Sequence, residues 1–157
     1  MSKFQLKNFF KAAYDLMLVF LQFFIISLHF FQWEFLPQKK IIQASPFNYF
    51  LGILIIIIAF IIMLVSIKDL GRNLSPFPRP INNSNLVTSG IYRYTRHPMY
   101  YSLIFISFGV FIIKLSLYYL FLSIILFLII KLKISLEEQF LKNKFKNYLL
   151  YKNQVKY

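Results

Sequence analysis

The sequence predicts an all-α integral membrane protein: about four transmembrane helices, the last two a short hairpin, then a C-terminal amphipathic helix lying at the membrane surface. Composition predicts it first. Of 157 residues, 59% are hydrophobic and 15% charged, with a mean hydropathy of +0.62, against roughly 45–50% apolar and 25% charged in soluble domains. A soluble chain this small could not hide so many apolar side chains, because its surface-to-volume ratio is too high. Lipid must cover part of it. The second observation is that the apolar residues gather into runs of near-spanning length, and the third is a helical apolar period in the lysine-rich tail. The length fits one membrane-embedded domain over residues 1–157.

The first predicted span is Leu16–Leu36, 21 residues interrupted by His29 and Glu34. Lys3, Lys7 and Lys11 before it imitate a signal peptide, but the apolar core is too long and no small-residue cleavage pattern follows. The segment is expected to stay in the membrane. The second span, Phe50–Ile67, has 18 residues and no charge, close to the ~20 needed for a ~30 Å hydrocarbon core. A polar connection over 68–97 follows. Pro76, Pro78 and Pro80 deny it regular helix, and Asn82, Asn83, Ser84, Asn85 and Gly90 add turn chemistry. Whether the prolines make a rigid connector or a lid is open at this level.

From Pro98 to Ile130 the chain is apolar again except for Lys114. One helix of that length would measure about 50 Å, too long for a straight crossing. Two antiparallel helices over 98–113 and 116–131, turning near Lys114, are therefore expected. Each is short enough that tilt or local thinning of the bilayer would accompany it. The tail places Leu136, Phe140, Leu141, Phe145, Tyr148 and Leu149 at helical spacing. Its lysines occupy the other face, which predicts an interfacial helix over 134–152.

Charge orients this layout. Of 18 Lys and Arg residues, 15 fall before the first span, in the 68–97 connection or in the tail, and only Lys39, Lys40 and Lys114 fall on the other side. The positive-inside rule puts both termini and the 68–97 connection in the cytoplasm. The net charge of +13 is not a nucleic-acid signature, because the basic residues border apolar segments instead of forming a solvated face on a soluble core. Anionic lipid headgroups are the expected partners. With no cysteine, disulfides, thiolate metal sites and cysteine nucleophiles are excluded.

The polar chemistry concentrates in two places. One is Arg93–Tyr94–Thr95–Arg96–His97–Pro98–Met99–Tyr100; the other is Glu137–Glu138, two of only five acidic residues. A hairpin between them returns the chain to the same membrane face, so both sets can meet there. Guanidinium, imidazole, phenol and carboxylate groups under apolar helix ends suit a zwitterionic ligand. Pro98 fits the first turn of a helix, where a missing N–H costs nothing. Each group also has a plainer use. The arginines could bind lipid phosphate, Glu138 could pair with Lys142 one helical turn on, and Tyr94 and Tyr101 suit an interfacial aromatic belt. His29 and Glu34 are ionisable groups inside a span, a default sign of function. Gln22, His29 and Trp33 share one helical face, so helix packing is the favoured reading for His29 and the outer interface for Glu34.

The segment "RHPMY", preceded by "LVTSGIYRYT" and followed after the hairpin by "EE", resembles the isoprenylcysteine carboxyl methyltransferase and phospholipid methyltransferase superfamily. The resemblance extends upstream to "LGRNLSPFPRP" and downstream to "LEEQFLKNKFKNYLLY", covering roughly 69–152, in the manner of the short bacterial members. It implies a membrane-embedded methyltransferase dependent on S-adenosylmethionine and lacking the soluble Rossmann fold. It also implies a bacterial inner-membrane location. Carried over by position, the cofactor-binding candidates are Tyr92, Arg96, His97, Pro98, Tyr100, Glu137 and Glu138. No residue is assigned as catalytic; His97 and Arg93 are the candidates, and holding the cofactor is the favoured role for His97. Ser102 stands where the family commonly has glycine, which would crowd a close helix–cofactor approach. The implied partners are the bilayer and a lipophilic or lipid-linked acceptor presenting a carboxylate, amine or thiol. Two other readings compete: a four-span proton-coupled transporter using Glu34 or His29, and a non-catalytic lipid-binding protein on the same fold.

Overall fold

The computed structural model describes residues 3–30, 41, 43–81 and 83–156, and among these it is helical with no strand ladder. Five α-helices occur in the described residues: α1 (Lys3–Phe30), α2 (Pro46–Leu70), α3 (Pro98–Lys114), α4 (Leu117–Lys144) and α5 (Tyr148–Gln154). Short 3₁₀ turns at Gly71–Asn73 and Gly90–Arg93 frame the proline-rich connection. Three helices are long and apolar enough to cross a membrane, within Ala12–His29, Pro46–Asn73 and Leu117–Lys144. At 17 residues α3 is apolar but measures only about 25 Å, so it is a short partner inside the bundle. The protein is an integral membrane all-α protein.

Local chemistry explains the ends. Ser45 and Asn48 form a reciprocal capping box and Pro46 occupies the first turn, so α2 starts four residues before the expected Phe50. Pro98 opens α3 as expected. The hairpin turns at Leu115, which adopts a left-handed φ of 42°, and Ser116 then caps α4 by accepting from the Tyr118 N–H at 3.3 Å. The expected turn near Lys114 is therefore present within one residue.

Two expectations differ from the structure. The first helix runs from Lys3, and its part apolar enough to cross a membrane begins at Ala12, four residues before the expected Leu16. Glu34 and Trp33, placed by the sequence at its far end, lie outside the described residues. The interfacial helix expected over 134–152 is divided between two elements. Its first part is the last turns of α4, which continues through Lys144; the chain extends at Phe145 (φ −115°, ψ 114°) and resumes as α5. The reason is packing. Tyr148, Tyr151 and Val155 are buried against Leu86, Leu141 and Phe145, and an unbroken helix would carry them away from that cluster.

Two seams hold the bundle. On α2 the buried residues are Gly52, Ala59 and Ser66, spaced by seven, and they face α3. A Cβ on Gly52 would lie 2.8 Å from the Gly109 carbonyl oxygen, and one on Gly109 would lie 2.6 Å from Ile56 Cγ1. Small residues are what let two membrane helices approach this closely, since lipid offers no hydrophobic drive for association. Ser102, seven residues before Gly109, is buried on α3 with its hydroxyl donating to the Pro98 carbonyl at 2.9 Å.

The second seam joins α1 to α4 and the elements beside it through Asp15, Leu18, Gln22, Ile25 and His29. Their alternating spacing of three and four is that of a left-handed helix pair. Ile25 packs on Leu122, Leu126, Ile129 and Ile130. His29 Nδ1 lies 2.9 Å from the Ile25 carbonyl and Nε2 lies 2.7 Å from Ser107 Oγ, which in turn lies 2.8 Å from Ser123 Oγ. A carbonyl can only accept, so Nδ1 carries the proton and Nε2 receives the Ser107 hydroxyl. This satisfies a neutral imidazole completely, in keeping with the packing role expected for His29.

Candidate functional site

The end of α2, the start of α3 and the end of α4 meet at one end of the bundle. The turn that delivers the polar segment is fixed by Asp69, the last acidic residue of α2. Its Oδ2 accepts from the Ile91 N–H at 2.8 Å, and a Cβ on Gly90 would fall 2.0 Å from the same oxygen. Gly90 also has φ +60°. Close approach and positive φ together demand glycine there.

From this turn the chain presents Arg96 and His97. Arg96 donates through Nε and Nη2 to Glu138 Oε1, at 3.0 and 2.8 Å, and through Nη1 to the Val155 carbonyl. Glu138 Oε2 is taken by Lys152 Nζ at 2.5 Å. The i,i+4 alternative with Lys142 is thus displaced by a pair that joins residues 42 positions apart. Arg96 and Glu138 side chains are only 13% and 15% exposed, so both charges are largely desolvated and depend on each other. His97 is buried, stacks on the Tyr100 ring at 5.8 Å, and has Nε2 at 3.5 Å from Glu138 Oε1 without a formed hydrogen bond.

These groups border a narrow cleft of about 80 Å³. Tyr92, Arg96, His97, Tyr100 and Glu137 all line it. Glu138 stands directly behind Arg96 and His97. Pro98 is buried as the first residue of α3 and does not line the cleft, and neither do Arg93, which is exposed, or Ser102. Ser102 lies away from the cleft lining, with its hydroxyl bonded to its own helix.

The opposite wall is the proline-rich connection: Ser75, Phe77, Pro78, Arg79 and Pro80 all line the cleft. The tail closes it with Phe145, Tyr148 and Tyr151. Tyr151 donates its hydroxyl to the Tyr92 carbonyl at 2.6 Å, whereas the buried Tyr148 hydroxyl has no partner. Burial, reinforced by Glu138, pushes the Tyr148 phenol well above its ordinary value. Burial does the same to Tyr92, with Glu137 adding to it, and raises Tyr151 to about 12 against the opposing pull of Arg96. All three are neutral hydroxyl groups at physiological pH. Sequence reasoning read Tyr148 only as an apolar position of the tail, and it passed over Tyr151 and Val155 as site components. The only signal was their i,i+3 and i,i+4 spacing.

Among the described residues no cluster of three or more metal-binding side chains occurs. The cleft instead offers aromatic faces at Tyr92, Tyr100 and Phe77, one carboxylate at Glu137, and buried polar atoms without a hydrogen bond at His97 Nε2, Tyr148 Oη and Arg79 Nη2. No curated protein and no solved structure matches the chain. A family model for phospholipid methyltransferases does match, over residues 47–148. The matched segment opens in the first turn of α2 and closes at Tyr148, so it contains the glycine turn, the Arg96–Glu138 pair and most of the cleft. A match over about two thirds of the chain, centred on the residues that build this site, makes the protein a member of the phospholipid methyltransferase family, a membrane methyltransferase by descent.

Proposed function

We propose that the protein transfers a methyl group from S-adenosylmethionine to a lipophilic acceptor, a carboxylate, amine or thiol, at the cytoplasmic face of a bacterial inner membrane. The observation that carries this reading is the pairing of Arg96 with Glu138 beside a cleft that holds unpartnered buried polar atoms. The residues fit such a cofactor. Aromatic faces favour a sulfonium cation, Glu137 favours an ammonium group, and His97 Nε2 and Tyr148 Oη await polar partners. When bound, the cofactor supplies an electrophilic methyl group on positively charged sulfur.

The chain's own residues orient and enclose. Arg96 is held by Glu138 and the Val155 carbonyl, so its guanidinium is a fixed edge of the cleft and loses little freedom on binding. The Pro76–Pro80 wall and the tail aromatics exclude water, which strengthens every electrostatic contact inside. Alignment of the two reactants is the main catalytic task. A carboxylate acceptor requires no base; for an amine or thiol, His97 Nε2 is the atom positioned to take a proton. The cytoplasmic placement rests on the excess of Lys and Arg on the cleft side. A proton-coupled transporter is disfavoured by the fully satisfied neutral His29.

The test is calorimetric binding of S-adenosylhomocysteine to the detergent-purified chain. Micromolar binding is expected for the wild type, with loss of roughly two orders of magnitude for Arg96→Ala and Glu138→Ala. A folded wild type that binds nothing overturns the reading.

A further inference from the structure

α1 lies entirely before the segment that matches the family, yet two of its buried polar side chains reach the cleft wall, Asp15 directly and Gln22 through Lys133. Asp15 is 5% exposed and pairs with Arg79 Nε at 2.5 Å. Arg79 lines the cleft and lies 5.3 Å over the Phe140 ring of α4. Seven residues on, Gln22 is also buried, and its Oε1 accepts from Lys133 Nζ of α4. The same ammonium donates to the Pro76 carbonyl at 2.9 Å and sits 5.3 Å over the Tyr100 ring. Lys133 is 1% exposed. A lysine buried this deeply in an apolar bundle is tolerated only because its protons are directed at fixed acceptors.

The proline-rich wall therefore hangs on α1 at two points, one on each side of Phe77 and Pro78. Its prolines cannot donate to a ladder, so side-chain contacts with neighbouring helices hold it: Arg79 on Asp15, Lys133 on the Pro76 carbonyl, and Lys144 on the Ile81 carbonyl just beyond it. We propose that Asp15 and Gln22 are positioning residues for the cleft: through Arg79 and Lys133 they set the place of the Pro76–Pro80 wall and so the affinity for the bound ligand. The affinity part rests on the cofactor reading above; the positioning of the wall does not. His29, the third polar residue at this heptad spacing, bonds to Ser107 two turns away from the cleft. It anchors α1 without touching the wall, which makes it the internal control.

The test compares full-length wild type, Asp15→Asn, Arg79→Gln, Gln22→Leu and His29→Leu in detergent. Backbone deuterium uptake is measured over residues 74–81, together with the Kd for S-adenosylhomocysteine. Asp15→Asn, Arg79→Gln and Gln22→Leu are expected to speed exchange over 74–81 and to weaken binding by about tenfold, as misplacement of a binding wall does. His29→Leu is expected to lower the thermal midpoint while leaving both readouts within about twofold. The double variant Asp15→Arg/Arg79→Asp should recover most of the loss.

Unchanged exchange over 74–81 in Asp15→Asn and Arg79→Gln overturns the proposal. So does an equal effect of His29→Leu, which would mark the loss as general destabilisation. A wild type that binds no S-adenosylhomocysteine overturns the cofactor reading and the affinity claim together, while the exchange result still decides whether α1 holds the wall.

Discussion

Arg96 and Glu138 illustrate what a single pair of residues does in a low-dielectric setting. Each charge would be costly alone, so the pair, with Lys152 and the Val155 carbonyl, forms one closed electrostatic unit. Tyr148 is the opposite case, a buried hydroxyl left without a partner. That difference gives a clean prediction. Tyr148→Phe removes a group that makes no internal hydrogen bond, so the thermal midpoint should hold or rise slightly. Affinity for S-adenosylhomocysteine should fall about three- to tenfold, the worth of one hydrogen bond of ~0.5–1.5 kcal/mol. Equal affinity in the two proteins would remove Tyr148 from the binding surface. At this scale the sequence was partly legible. Tyr92, Arg96, His97, Tyr100 and Glu137 were found by motif and do line the cleft. Tyr148 and Arg79 were not, because a tyrosine in an amphipathic tail and an arginine among prolines carry no local sign of what they face.

At the level of elements, the bundle depends on how closely α2 and α3 approach. The crossing at Gly52 and Gly109 leaves no room for a side chain, with a Gly109 Cβ reaching within 3.0 Å of the Gly52 carbonyl. Gly109→Val should therefore push the helices apart and destabilise the fold by about 1–3 kcal/mol, read as a lower denaturation midpoint in mixed micelles. The Arg96 segment at the base of α3 should shift with it, so ligand affinity should fall as well. A midpoint equal to the wild type would mean the seam can relax. The sequence displayed these glycines inside apolar runs without revealing their partner. It likewise displayed Gln22 and His29 on one face of the first span but left Asp15 outside the span by one residue. Helix periodicity shows which residues share a face, whereas the choice of neighbour is made by other helices. The tail shows the same division. Its period predicted a helix correctly through Lys144, but the break at Phe145 comes from burial of Tyr148, Tyr151 and Val155, which no local propensity encodes.

Across the whole molecule, the buried tyrosines of the cleft tie stability to alkaline pH. In the unfolded chain they ionise near pH 10; in the native protein burial raises Tyr92, Tyr148 and Tyr151, the last to about 12. Above pH 10 the unfolded state therefore binds fewer protons than the native state, and the linkage slope is negative. The stability contributed by these tyrosines is complete below about pH 10 and is lost as pH rises through the native values. Unfolding midpoints measured from pH 9 to about 11.5 should fall, by up to ~1.4 kcal/mol per unit for each tyrosine still protonated only in the native state. Replacing Tyr92, Tyr148 and Tyr151 together by phenylalanine should flatten that decline. An unchanged slope would place the alkaline sensitivity elsewhere.

The sequence by itself determined that the chain lives in a membrane, that it is helical, that a hairpin turns beside Lys114, and that Arg96 and Glu138 belong to one face. These are consequences of composition, of period and of the short reach of a hairpin with two 16-residue arms, all readable along the chain. Tertiary structure alone decided that α1 carries the polar ladder supporting the cleft wall through Lys133, that the tail folds back to close the cleft, and that Arg79 and Tyr148 face it. Each of those facts joins residues more than 50 positions apart. In lipid there is no general hydrophobic drive to choose among helix partners, so the pairing rests on particular hydrogen bonds, ion pairs and glycine contacts that exist only once the helices have met.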